Sequence, residues 1–317
     1  MKRFFKGILA FSCAATMLFA FSCGDVVKNG SKIDNCKITL NYVDADGEEQ
    51  TRTLNFELYV NYAPATVEHF EYLANQGYYD GTVVSNLSSY VEFGAFTEKD
   101  GVLTSKYDEN VEKGYYSIIT KDYALNKYVG TDKSVARYAD DLSINGEFSE
   151  NGIGGNKLGL TGGSLVLKRD FNAKNQGAAY NTGKGTMAVT FGSSTYISTA
   201  DRFAVIGKIL SDDDDQFEDE QSSLEFLQAL MTELDADADD NSYWYYGKAD
   251  SEYVGQYGRY LMKDENGTYF VKDASGKFTV ELDDTDDEDF LKELSEQAVY
   301  MNNLPYHTIT IVSVKIG

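Results

Sequence analysis

Alternating apolar and polar residues near the start of the chain predict a β-hairpin over residues 36–60. Apolar side chains occupy every second position over residues 38–42, and the same alternation returns over residues 54–60. Between the two arms lies Asp46-Gly47, a dipeptide that favours the tight turns of hairpins. A period of two places the apolar residues of each arm on one face of a sheet.

The spacing of apolar residues then changes to the helical period. Pro64 suits the first turn of a helix, apolar residues recur three or four positions apart, and Gly77 suits the C-terminal cap. The same spacing predicts a second helix over residues 222–234 and a third over residues 286–299.

Short runs rich in β-branched and apolar residues predict the remaining strands. They lie at residues 164–168, 186–191 and 203–210, in a three-stranded meander over 260–282, and in a closing strand over 308–312. Residues 94–144 show no clear period and receive no assignment. Many short strands with two or three helices indicate a closed or sandwiched β architecture.

The N-terminus has the pattern of a secretory leader. Basic residues in positions 1–6 precede an uncharged run over 7–22, which is shorter than the roughly 20 residues of a membrane-spanning helix. Small residues then lead into Cys23, which resembles a bacterial lipoprotein signal. We expect a signal peptide over 1–22 and a tether over 23–35, so that lipidated Cys23 anchors an extracytoplasmic protein to a bacterial membrane. An ordinary cleaved signal and an uncleaved anchor are the alternatives.

The net charge of the 317-residue chain is −23, from 51 acidic and 28 basic side chains. This charge disfavours nucleic acid as a partner because a polyanion would be repelled. Most of it is local: residues 211–240 contain 13 acidic and no basic side chains, and residues 281–296 contain nine acidic side chains and one lysine. The acidity therefore says little about the rest of the chain.

The chain offers little material for a histidine-based metal site or a Ser-His-Asp triad. His69 and His307 are its two histidines, and we expect both to be surface or packing residues. Asp235, Asp237 and Asp239 alternate like calcium ligands, but the glycine and glutamate that an EF-hand requires are absent from their positions. We expect a solvated acidic loop there, with a structural calcium site as the alternative, and no cofactor.

Two sequence motifs stand out around the first predicted helix. Residues 58–70 read Leu-Tyr-Val-Asn-Tyr-Ala-Pro-Ala-Thr-Val-Glu-His-Phe, and residues 77–82 read Gly-Tyr-Tyr-Asp-Gly-Thr. These motifs resemble an early strand and the first helix of the cyclophilin-type peptidyl-prolyl isomerases. Further segments resemble the family in the same order, at residues 144–148, 185–190, 203–209 and 309–316.

The resemblance implies a mainly β fold, a closed eight-stranded antiparallel β-barrel capped by helices. It covers about 36–94, 144–234 and 305–317. We therefore expect one cyclophilin-like domain over residues 36–317, with insertions near 97–143 and 235–304.

The chain departs from the family where the resemblance implies the active site. Isomerisation requires only that the twisted amide be bound better than the planar one. The family does this with an arginine, whose position falls on Asn86, a shorter and neutral residue. The family's Phe-x-x-Gln element falls on Val91 to Gly94, and its Ser-Gln-Phe-Phe element falls on residues 194–197. The candidate groove residues are Val84, Asn86, Val91, Gly94, Thr195, Tyr196 and Ile197.

We therefore expect a cyclophilin-like protein that binds exported or unfolded polypeptide segments, including proline-containing ones, with weak or lost isomerase activity. No catalytic residue is assigned. One alternative is a fully active isomerase with a relocated donor, for which Arg169 and Arg202 are candidates. Another is a structural surface lipoprotein, whose groove residues are ordinary barrel side chains.

Overall fold

A computed structural model provides the coordinates of the protein. It describes residues 32–44, 47–87, 90–99, 102–128, 136–148, 151, 153, 158–172, 177–178, 181–191, 204–210, 222–235, 243–246, 261–263, 269–272, 278–281, 299–301, 305 and 308–317.

Strands dominate the described part of the chain. The strands are β1 (Ile33–Val43), β2 (Glu49–Tyr59), β3 (Asn86–Leu87), β4 (Tyr90–Phe93), β5 (Phe96–Lys99), β6 (Val102–Ser105), β7 (Ser164–Leu167), β8 (Phe171–Asn172), β9 (Gly177–Ala178), β10 (Met187–Thr190), β11 (Val205–Ile209), β12 (Tyr243–Tyr246), β13 (Leu261–Lys263), β14 (Tyr269–Lys272), β15 (Phe278–Glu281), β16 (Val299–Met301) and β17 (Thr310–Ile316). The helices are α1 (Pro64–Asn75), α2 (Tyr115–Ile118), α3 (Lys121–Ala124) and α4 (Ser223–Asp235).

Eight strands form one antiparallel sheet in the order β17-β1-β2-β11-β7-β10-β4-β3. The segment that precedes β3 also bonds to the segment around the start of β17. The Val84 amide donates to the Ile309 carbonyl at 2.9 Å, and the Ile311 amide donates to the Thr82 carbonyl at 2.7 Å. These bonds join the two ends of the strand order, so the sheet curls. The predicted mainly β fold with an eight-stranded antiparallel sheet is confirmed.

The apolar core fills the concave side of this sheet. Phe56 of β2 and Phe70 of α1 are both almost fully buried, and Leu227 of α4 joins the same cluster. Each such side chain stabilises the fold by about 1.5–3 kcal/mol relative to an exposed position. The two helices therefore cover the core with the apolar stripes that their sequence periodicity predicts.

Most elements predicted from periodicity are confirmed. The hairpin β1–β2 turns near Gly47, whose φ is +83°, and α1 is followed by Gly77 at φ +69°. Strands β13, β14 and β15 form the predicted antiparallel meander. The unassigned region contains the hairpin β5–β6 and the short helices α2 and α3. The helix predicted over 286–299 lies outside the described residues, except that residue 299 begins β16.

Several predictions concern the chain termini and the acidic segment. The signal peptide and Cys23 lie outside the described residues, and β1 already begins at Ile33, before the predicted domain start at residue 36. Asp235 is the last residue of α4, whereas Asp237 and Asp239 lie outside the described residues. None of the described helices is long and apolar enough to cross a membrane.

Buried polar side chains connect α1 to the segments around it. Glu147 accepts hydrogen bonds from the backbone amides of Ala65 and Thr66 at 3.1 and 2.9 Å, and so satisfies donors of the first helical turn. His69, fully buried in the same helix, lies 2.9 Å from the Tyr138 hydroxyl through Nδ1. Its Nε2 donates to the Lys184 carbonyl oxygen at 2.5 Å, since a carbonyl can only accept. His69 is therefore a packing residue.

We expect acid to destabilise the protein through His69. Burial lowers the pKa of this imidazole from 6.5 to about 4, so it is neutral when folded and takes up a proton on unfolding. Below pH 6.5 the unfolded state binds more protons, and stability falls as the pH falls toward 4. The loss between pH 6.5 and 5 is about 2 kcal/mol. Urea unfolding of the chain and of His69→Asn, each at pH 6.5 and at pH 5, measures this loss of stability. A stability change that is the same in both proteins contradicts the assignment.

Candidate functional site

Strand β4 distributes its residues between the two faces of the curled sheet. Val91 and Phe93 belong to the inner core, and Val91 lines a small apolar cavity together with Val84. By the period of two, Tyr90 and Glu92 lie on the outer face. The outer face of β4 is therefore the one that is aromatic and charged.

The predicted groove residues do not share one face. Val84 and Val91 are 3% and 4% exposed and point into the core, as the alternative of ordinary barrel side chains describes. Asn86 is half-buried and pairs with Glu92 between β3 and β4, which places it on the outer face. Gly94 directly follows β4. The other three candidates, Thr195, Tyr196 and Ile197, lie outside the described residues.

Only glycine suits position 94, because both the backbone conformation and the surrounding space exclude a larger residue. Its φ is +92°, in the left-handed region that favours glycine. A Cβ atom there would lie 2.8 Å from the Gly185 carbonyl oxygen and 2.9 Å from Cε1 of Tyr79. The Tyr78 hydroxyl also donates to the Gly94 carbonyl at 2.7 Å. Gly94 thus cannot be replaced by the glutamine that the family resemblance implies without moving its neighbours.

A row of paired residues crosses the outer face. Asn86 on β3 pairs with Glu92 on β4, Glu92 pairs with Ala188 on β10, and Ala188 pairs with Val166 on β7. Lys168 follows Val166 by two residues and so lies on the same face, just beyond the end of β7. We call Asn86, Tyr90, Glu92, Ala188 and Lys168 the outer-face site.

Glu92 is the centre of the polar contacts in the outer-face site. The Ser85 hydroxyl donates to its Oε1 at 3.0 Å, and the Lys168 ammonium donates to its Oε2. The Glu92 side chain is 7% exposed and that of Lys168 is 28% exposed. A buried carboxylate requires such partners, because burying an unpaired charge is costly. Lys168 therefore balances the charge of Glu92, and it is the more exposed residue of the pair.

Tyr90 adds an aromatic ring to the same face. It pairs with Thr190 of β10, and burial, followed by the negative charge of Glu92, raises the pKa of its hydroxyl to about 12. The ring is half-buried at the margin of an apolar cluster on the outer face. The cluster consists of Tyr59, Tyr62, Leu158, Val166, Ala188 and Val205, and Leu160 also packs against it.

Arg169, one of the two arginines considered for a relocated donor, lies apart from this site. Arg169 is 1% exposed, and its guanidinium lies 4.3 Å from the centre of the Phe148 ring, close to Gly146. Arg202 lies outside the described residues. Lys168 is the cation that contacts Glu92, next to Asn86.

Tyr90, Glu92 and Lys168 are site residues that sequence reasoning missed. The alternation of residues 90–93 carried a signal, since Val91 and Phe93 match the apolar positions of a strand and leave Tyr90 and Glu92 for the other face. Nothing local in the sequence pairs Glu92 with Lys168, which lies 76 residues later.

The family model of the cyclophilin type peptidyl-prolyl cis-trans isomerases matches residues 43–133. The segment over residues 43–133 is thus similar to the cyclophilin family. The match includes β3 and β4, and with them Asn86, Tyr90 and Glu92. It also runs through much of the segment near 97–143 that the sequence resemblance leaves as an insertion.

Solved cyclophilin structures resemble this chain at low sequence identity. The Mimivirus cyclophilin is 15% identical with a TM-score of 0.35, covering 65% of this chain and 82% of its own. A Cryptosporidium parvum cyclophilin type peptidyl-prolyl cis-trans isomerase, in the presence of the dipeptide Ala-Pro, is 17% identical with a TM-score of 0.27. That match covers 60% of this chain and 84% of the Cryptosporidium chain. A search of curated proteins finds no match.

The outer-face site can bind a ligand through hydrogen bonds and ring packing. Asn86 can donate an amide N–H, but without a positive charge and with a short reach. The carboxylate of Glu92 lies opposite Asn86, and the ammonium of Lys168 contacts that carboxylate. The site thus has the donors and the aromatic surface to hold a peptide, arranged differently from a site built around one arginine.

Proposed function

We propose that this cyclophilin-type chain binds exported or unfolded polypeptide segments, including proline-containing ones, with weak or lost isomerase activity. The observation that carries the proposal is the pairing of Asn86 with Glu92 on the outer face. An isomerase must stabilise the prolyl nitrogen of the twisted amide with a donor. Asn86 offers only a neutral amide of short reach for this purpose, and its paired neighbour Glu92 is a carboxylate, which accepts hydrogen bonds and cannot donate one.

The size of the effect favours binding over efficient catalysis. Removing one preorganised donor from a transition-state site typically costs about 2–4 kcal/mol, or roughly a hundredfold or more in rate. Binding of a ground-state peptide depends less on that donor, since it also uses ring packing and main-chain hydrogen bonds. A chain with the family fold and an altered donor is therefore expected to retain binding better than turnover.

The proposed place of action is outside the cytoplasm, on a bacterial membrane. It is supported by the basic, apolar and cysteine-terminated leader over residues 1–23. Exported polypeptides are the segments that a protein in that location would meet. Fractionation of cells that express the chain or its Cys23→Ala variant tests the proposed location. If the chain without substitutions is found in the cytoplasm and carries no lipid, the proposed location is wrong.

An isomerisation assay and a binding titration test the proposal together. We expect a chain that begins at Gly24, which keeps every described element, to bind a short peptide with a central Ala-Pro. Its isomerisation rate should be at least about tenfold below that of an arginine-containing cyclophilin measured in parallel. A rate equal to that of the reference cyclophilin would overturn the loss of activity. Absence of any binding would favour a structural surface protein instead.

A further inference from the structure

We infer that Lys168 is a peptide-binding residue of the outer-face site. Its ammonium, held by Glu92, donates a charge-assisted hydrogen bond to a main-chain carbonyl oxygen of a bound proline-containing segment. The Tyr90 ring packs against the proline of that segment. This inference rests on the proposed function and names the residues through which the site holds its ligand.

The first step is the position of the ammonium. Lys168 comes two residues after Val166, and Val166 pairs with Ala188, which in turn pairs with Glu92. To reach Glu92, the lysine side chain must extend across β10, since neighbouring strands lie about 4.8 Å apart. The residue between them on this face is Ala188, whose methyl group is the smallest apolar side chain and leaves that path open. The Glu92–Lys168 contact therefore lies on the outer face of the sheet.

The second step is electrostatic. The Glu92 side chain is 7% exposed, whereas 28% of the Lys168 side chain is exposed, so the pair is oriented with its cation toward solvent. An ammonium can donate three hydrogen bonds. The pairing with Glu92 restricts an otherwise flexible side chain, which lowers the entropy lost when a ligand binds. Lys168 is thus a pre-positioned donor at the surface of the site.

The third step is the chemistry of the ligand. A proline residue has no amide hydrogen, so the main chain around it offers carbonyl acceptors in excess of donors. A cationic donor suits such a segment, and an aromatic ring suits the flat apolar face of a pyrrolidine. Lys168 and Tyr90 provide this pair, and Glu92 lies two residues from Tyr90 on the same face.

The opposing interpretation is that the Glu92–Lys168 pair only stabilises the fold. Lys168→Met alone does not separate the two, because it leaves the buried Glu92 carboxylate without its lysine. The double variant Glu92→Gln/Lys168→Met avoids that charge, and Glu92→Gln alone is its matched control, with the cation retained. Both are made in the full chain.

The measurement is the affinity for a short peptide with a central Ala-Pro, with the matched Ala-Ala peptide as reference. We expect Glu92→Gln/Lys168→Met to bind the Ala-Pro peptide about tenfold more weakly than Glu92→Gln, the usual effect of one hydrogen bond to a charged group. Glu92→Gln/Lys168→Arg keeps a cation and should stay within about threefold of Glu92→Gln. Lys37→Met, the same change at an exposed position of β1, should leave the affinity unchanged.

The outcomes separate the inference from the proposed function. Affinities of Glu92→Gln and Glu92→Gln/Lys168→Met that agree within about threefold, with equal thermal stability, overturn the role of Lys168 while peptide binding stands. If the unmodified chain fails to bind either peptide, the proposed function fails and the inference with it. A loss of affinity that the arginine variant restores supports both.

Discussion

Replacing Asn86 with arginine and Glu92 with glutamine in the same chain is expected to raise isomerase activity by about a hundredfold. Arginine at position 86 restores a charged, forked donor at the position that the resemblance implies for the catalytic arginine. Glu92 pairs with position 86 across β3 and β4, so the second change removes a carboxylate that would otherwise bind the new guanidinium. The proline-peptide assay measures the gain.

The single variants are the controls for this prediction. Asn86→Arg alone is expected to gain less than about tenfold, because Glu92 would pair with the new side chain. Glu92→Gln alone should leave the rate near that of the unmodified chain, since no charged donor is added. If the double variant remains at the starting rate while folded and able to bind peptide, the shape of the groove limits catalysis, and the missing charge does not.

The long strands β1 and β2 and the helix α1 were predictable because local periodicity defines them. Residues 38–42 and 54–60 alternate, and the structure pairs them in one antiparallel register from Ile33 with Tyr59 to Val43 with Glu49. α1 begins at Pro64 and is followed by Gly77, as the cap residues predict. Such signals need no knowledge of distant parts of the chain.

The hairpin β5–β6 and the helices α2 and α3 were not predictable in the same way. Their elements are about four residues long, too short to show a period. They are held by contacts to distant residues, such as the Tyr115 hydroxyl donating to the Leu142 carbonyl at 2.7 Å. The stacking of Tyr123 on Tyr72 of α1, with ring centres 4.1 Å apart, fixes this region in the same manner.

The site was predictable only in part, because its residues come from separate strands. The resemblance named Asn86 as the position of the family arginine, and the structure pairs it with Glu92 on the neighbouring strand. Val91 took the place of the family aromatic in the sequence comparison, yet its side chain lies in the core and Tyr90 is the ring on the outer face. A shift of one residue reverses the face of every side chain in a strand, so a comparison without coordinates is most fragile here.

A large destabilisation by a single small change is expected at Gly94. Gly94→Ala should lower the free energy of unfolding by about 4 kcal/mol, combining the cost of a positive φ for a residue with a Cβ atom and of overpacking. The Cβ atom would approach the Gly185 carbonyl oxygen to 2.8 Å and the Tyr79 ring to 2.9 Å. Neither neighbour is a flexible side-chain end: the carbonyl belongs to the backbone, and Tyr79 is fully buried. Relief therefore requires movement of the strand end next to the outer-face site.

Gly81→Ala is the matched control for this change. Gly81 has a similar positive φ of +74°, but a Cβ atom there meets nothing within 4 Å. Gly81→Ala should therefore lower the free energy of unfolding only by the cost of the positive φ, about 1–2 kcal/mol. Urea unfolding of both variants measures the difference, which isolates the contact with Gly185 and Tyr79. Equal costs for the two variants would show that the neighbours of Gly94 yield to a methyl group. In that case the glutamine that the family resemblance implies is excluded from this position by backbone conformation alone.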